Sequence, residues 1–137
     1  MWSFFVLCVA LALPTLPEAQ HAHPPQAKYS KVVYAPRDCL EVEWLPNQTH
    51  EMILYLECGY GVTSETLHLD EPAQYHYQIA KNSMADYQAF IAEVNARCPY
   101  RTDDGDLYKF DYDPTADAVK VQFEGNTEAL VKNGCPP

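Results

Sequence analysis

Apolar and polar positions alternate in short stretches from Tyr29 onward, most cleanly in Leu40-Glu41-Val42-Glu43-Trp44. A period of two places Leu40, Val42 and Trp44 on one face of a strand and the two glutamates on the other. Lys31-Val32-Val33-Tyr34 reads as a strand before it. Met52 to Cys58 is a more continuous apolar run, the pattern of a central strand buried on both faces. Gly59-Tyr60-Gly61 supplies a turn, and Val62 to Leu69 returns as the hairpin partner. Asp70-Glu71-Pro72 closes that unit, and Gln74 to Ile79 adds a strand with Tyr75, Tyr77 and Ile79 on one face.

The period then changes. Ser83 stands where an N-cap belongs, and Asp86 puts a carboxylate in the first turn, where the helix dipole favours it. Met84, Tyr87, Ile91, Val94 and Cys98 recur at spacings of three and four with Phe90 beside them, and Pro99 stops the helix. This stripe reads as a core face lying on a sheet. After the polar turn Thr102-Asp103-Asp104-Gly105, Leu107 to Tyr112 and Ala118 to Phe123 form a second hairpin. In it Tyr108, Phe110 and Tyr112 oppose Val119, Val121 and Phe123. Thr127 to Lys132 is expected to make a final short turn of helix, stopped by Asn133-Gly134. The class this predicts is α+β: an antiparallel β-sheet packed against one main α-helix, stabilised by two disulfides.

The first residues follow neither period. Met1 to Leu13 carries no charge, is too short to span a bilayer core of about 30 Å, and is followed by Pro14 and Pro17. Residues 1–19 are therefore expected to be a secretory signal, cut after Ala19 or, as runner-up, Ala22. Residues 20–28 form a proline-containing arm and 29–137 a single domain. Cys8 leaves with the leader, and the other four cysteines, Cys39, Cys58, Cys98 and Cys135, suit an oxidising compartment. They contain no C-x-x-C knuckle for zinc. Four cysteines allow three pairings; joining neighbouring segments favours Cys39–Cys58 with Cys98–Cys135. The predicted location is extracellular.

Formal charge is −10 over 137 residues, which disfavours binding to nucleic acid or to an anionic membrane surface. Asn47-Gln48-Thr49 is an N-glycosylation acceptor behind Pro46. A leader cut after Gln20 would expose His21-Ala22-His23, whose amine, amides and imidazole suit a square-planar copper(II) site. No cofactor is otherwise implied. There is no G-x-S-x-G elbow, no H-E-x-x-H and no unpaired cysteine after the leader. If the chain were an acid–base hydrolase of ribonuclease type, His76 between Tyr75 and Tyr77 is the candidate base. His68 on the preceding strand would assist, with Glu57 or Glu65 nearby. The carboxylates of Asp103-Asp104-Gly105-Asp106 and of Asp111 to Asp117 follow turn chemistry and meet no EF-hand pattern.

Ten tyrosines favour a binding module over an enzyme, since tyrosine supplies amphipathic contact area at interfaces. Tyr29, Tyr34, Tyr60 and Tyr100, near strand or helix ends, are the candidate contact residues. The plan of a leader through Ala19 followed by four cysteines from Cys39 to Cys135 resembles the small secreted effector proteins of plant-associated fungi. The Tyr-x-Cys signature of one ribonuclease-like effector family is replaced by Arg37-Asp38-Cys39, and the helix here follows several strands instead of preceding them. The resemblance implies action on a host protein or glycan, with disulfides preserving the fold outside the cell.

Overall fold

The computed structural model describes residues 27–34, 37–46 and 50–136. Its strands are β1 (Lys28–Tyr34), β2 (Asp38–Trp44), β3 (Glu51–Glu57), β4 (Gly61–Thr63), β5 (Leu67–Ala73), β6 (His76–Ile79), β7 (Lys109–Asp113), β8 (Ala118–Phe123) and β9 (Asn126–Lys132). The single α-helix among the described residues, α1 (Met84–Arg97), lies between β6 and β7. Every pairing is antiparallel, and the ring runs β1-β2-β3-β5-β6-β7-β8-β9 and back to β1. Eight strands thus close into a barrel, with β4 a short flap paired only to β3.

The expected α+β layout, an open sheet on one helix, is therefore corrected to a barrel. The reason is in the burial pattern. Leu40, Val42 and Trp44 on β2, Met52, Leu54 and Leu56 on β3, and Phe110 and Tyr112 on β7 are all buried, while most of their alternate neighbours are not. One fourteen-residue helix cannot cover an apolar face eight strands wide. Closing the sheet on itself buries that face without a second layer, and eight strands give an interior that side chains can fill. Trp44 sits at its centre, with Tyr29, Tyr77 and Phe110 meeting it edge-on at 6.1, 5.7 and 6.4 Å.

The helix has another task. It connects the end of β6 to the start of β7 and buries Tyr87, Phe90 and Val94 in the same apolar cluster as Leu56, Leu107 and Phe123. It covers the end of the barrel where β3, β6 and β8 finish. Ser83 is the residue before the helix but does not cap it; its hydroxyl accepts the His68 N–H at 2.8 Å instead.

Three local expectations are also revised. Met52 to Glu57 is buried on alternate residues only, because one face of a barrel wall points outward. Val62 to Leu69 breaks into two strands, and Asp70 to Pro72 belongs to β5 rather than to a turn. Thr127 to Lys132 is strand, not helix: Glu124 and Gly125 both have positive φ, 51° and 74°, and make the two-residue turn that folds β9 back on β8.

The disulfides are Cys39–Cys135 and Cys58–Cys98, with Cα separations of 5.9 and 5.6 Å. The pairing of neighbouring segments does not occur. Cys39 follows the opposite parity to Leu40 and points outward, where the C-terminal tail crosses β2. Cys58 lies past the end of β3, against the end of α1.

Candidate functional site

Along β1 the residues alternate, with Tyr29 inside the barrel and Val32 outside. β2 pairs with β1 along its length, from Lys28↔Glu43 to Tyr34↔Asp38. On the other side β9 pairs with it only at Tyr29↔Lys132 and Ser30↔Val131. Among the described residues, Lys31–Tyr34 and the facing stretch of β9 from Asn126 to Leu130 make no backbone pairing across this gap. Among the described residues, the β1–β9 ladder is these two residue pairs.

Two local features lie where the pairing stops. The β1 register shifts between Val32 and Tyr34, and such an irregularity bends a strand. At the far end of β9, the β8–β9 turn is anchored by Asp106, a fully buried carboxylate. Asp106 accepts hydrogen bonds from the N–H groups of Asp103 (2.8 Å), Glu124 (2.7 Å) and Gly125 (3.1 Å), and from Gln122 Nε2 (2.7 Å). All its acceptor capacity faces this chain.

Side chains bridge the seam where backbone does not. The Lys31 ammonium pairs with the Glu128 carboxylate, and the Tyr34 hydroxyl donates to the Glu124 carboxylate. That hydrogen bond holds the Tyr34 phenol above its ordinary pKa. The Tyr34 ring stacks on Tyr100 at 4.7 Å, and Tyr100 in turn meets Phe123 edge-on at 5.8 Å. Val32 (43% exposed), Tyr34 (43%) and Val131 (55%) flank the gap. With Tyr60 (65%) they are the large exposed hydrophobic residues among those described. Val131 lies opposite Ser30 and Val32 is two residues further on, so the two valines are diagonal neighbours on the outer wall.

The predicted residues fall in different places. Tyr34 is at the seam. Tyr60 is exposed on the β3–β4 turn. Tyr29 is fully buried, and its hydroxyl and that of Tyr112 both donate to Asp117 Oδ1, at 2.7 and 2.9 Å. The Tyr29 bond holds the Asp117 carboxyl below its usual range. Tyr100 is buried under Tyr34. His76 Nδ1 lies 2.7 Å from Asp111 Oδ1 on the outer wall, both side chains more than half exposed. His68 is at the other end of the β5–β6 hairpin, beside Glu51 at 3.3 Å, so the two histidines do not share a site. Glu57 accepts from the Tyr55 hydroxyl at 2.6 Å and from Gly59 N–H at 3.2 Å, and lies on β3, away from His76. Glu65 is exposed between β4 and β5. His21, His23, Asn47 and the leader lie outside the described residues.

Sequence reasoning passed over Lys31, Val32, Glu124, Glu128 and Val131. Exposed valines in a strand look like core until the strand order is known. The available signal was Gly125, a residue suited to a turn, followed by a segment that could return as a strand.

The chain matches no protein-family model, no curated protein and no solved structure.

Proposed function

We propose that this protein is a secreted, non-enzymatic interaction module, effector-like in plan, that binds an extracellular or host polypeptide at the β1–β9 seam. The observation that carries the reading is the conjunction there of unpaired strand edges with exposed Val32, Tyr34 and Val131. Exposed strand edges recruit other chains unless they are blunted, and contiguous exposed apolar side chains mark contact surfaces. The two disulfides suit a protein that works outside the cell. A glycan is the alternative ligand, with Tyr34 as the stacking platform.

The test places a photo-cross-linking residue at Val32 and exposes the protein to its extracellular milieu, with and without Val131→Asp. The reading expects one dominant polypeptide adduct that Val131→Asp removes while circular dichroism stays unchanged. Equal adducts from both proteins, or none, would contradict it. An adduct that periodate destroys would move the ligand to glycan.

A second reading keeps a small hydrolase using His76. Its support is the cross-strand row His76–Asp111–Lys120, which puts an imidazole, a carboxylate and a cation on one outer face. A shallow cleft of about 290 Å³ that includes Lys109, Asp111 and Lys120 lies beside it. Turnover of an RNA or ester substrate that His76→Ala abolishes would establish it; turnover unchanged by His76→Ala would remove it.

A further inference from the structure

The seam's chemistry alternates across the wall. On the outer face the gap is flanked by Val32 and Val131; on the inner parity it is flanked by Lys31 and Glu128, with Glu124 at its mouth. A strand laid along the gap would alternate in the same way, because successive side chains point to opposite faces. Its outward residues would lie beside the two valines, where β-branched apolar side chains pack best. Its inward residues would meet Glu128 and Glu124, whose present partners are Lys31, itself 44% exposed, and the hydroxyl of Tyr34. Lys31 can swing to solvent and leave Glu128 to an incoming cation, while Glu124 can accept from a cation and from the Tyr34 hydroxyl together. The chain's charge of −10 draws such a segment in from a distance.

We propose that the partner's contact segment is an extended strand alternating basic and β-branched residues, taken up by backbone hydrogen bonds along the free edge of β1; this rests on the seam being the binding surface. Main-chain pairing would supply affinity, and the alternating valine and carboxylate contacts would supply specificity.

The probe is a capped hexapeptide of alternating lysine and valine, labelled with fluorescein and titrated into the disulfide-intact chain by anisotropy. Three comparisons accompany it: a glutamate–valine hexapeptide, a lysine–valine peptide N-methylated on alternate residues, and hydrogen exchange of the complex. The lysine–valine peptide should bind, weaken as salt rises, and protect amides of Lys31–Tyr34. N-methylation removes the donors of one edge while leaving every side chain, and should weaken binding about tenfold or more. The glutamate–valine peptide should bind at least about tenfold more weakly. Absence of binding by the lysine–valine peptide would overturn the proposal. So would equal binding of the methylated peptide, or equal binding of the glutamate–valine peptide. These failures are separable from failure of the surface itself, because Val131→Asp tests the natural partner however that partner binds.

Discussion

Asp106 shows how a single side chain shapes the site without touching a ligand. Its four donors tie the segment after α1 to the β8–β9 turn, and three of them are backbone N–H groups. Replacing the acid by its amide turns one oxygen into an NH₂ group that faces donors. Asp106→Asn should therefore destabilise the fold by about 2–4 kcal/mol, as loss of charge-assisted bonds with buried donors left unpaired does. Urea unfolding measures this, and a change below about 0.5 kcal/mol, the range of ordinary surface substitutions, would refute the anchoring role. The interior tyrosines make a second prediction. Burial first, then the Asp117 carboxylate, raises the Tyr29 pKa well above 10.0. Burial and the nearby Glu71 carboxylate do the same for Tyr77, whose hydroxyl makes no hydrogen bond of good geometry. Both phenols ionise more readily in the unfolded chain. Their contribution to stability is complete below pH 10 and is lost as pH rises above it toward the folded values. The melting temperature should fall steeply above pH 10, with part of the 295 nm phenolate absorbance appearing only on unfolding. Full ionisation near pH 10 with intact near-ultraviolet circular dichroism would contradict the buried placement.

At the scale of elements, the two disulfides fasten different parts of the barrel. Cys39–Cys135 spans 96 residues and brings the tail after β9 back across β1 to β2, where the Cys135 N–H donates to Glu41 at 2.7 Å. Cys58–Cys98 spans 40 residues and fastens the end of α1 to β3. Loop-closure entropy gives about 4–5 kcal/mol for the longer bridge and about 4 for the shorter. Replacing Cys39 and Cys135 by serine should lose that amount in urea unfolding and loosen the β1–β9 closure first. A double variant as stable as the parent would show that the two backbone pairs suffice. The elements were the most legible part of the chain. Strict alternation in Leu40 to Trp44 and the three–four spacing from Met84 to Cys98 correspond to β2 and α1. The β9 segment misled because Glu, Ala, Leu and Lys favour helix in isolation, whereas pairing with β8 decides its state. Tyr75 was placed in a strand face but adopts φ 67° in the tight β5–β6 turn between Ala73 and His76, a placement invisible to a period count.

The described strands form a barrel because the one helix among the described residues is too small to cover their apolar face. That conclusion depends on which strands are neighbours, and local pattern does not carry neighbour relations between distant segments: β1 meets β9 across the full length of the domain. The same long-range relation creates the site. Tyr34 was recognisable as a candidate from its residue type, but Glu124 and Glu128 become its neighbours only when the ring closes.

Among the described residues, two β1–β9 backbone pairs close the ring, and side chains bridge the rest of the seam. Native-state hydrogen exchange of the free protein tests this arrangement directly. In an antiparallel strand alternate residues direct their N–H to a given side, so about half the amides of Lys31–Tyr34 and of Asn126–Leu130 point into the seam. Those amides should exchange orders of magnitude faster than the amides of β2 and β3 that pair across Val42↔Leu54. Equal protection on both sides of β1 would mean a continuous β1–β9 ladder, and the seam would cease to be a site.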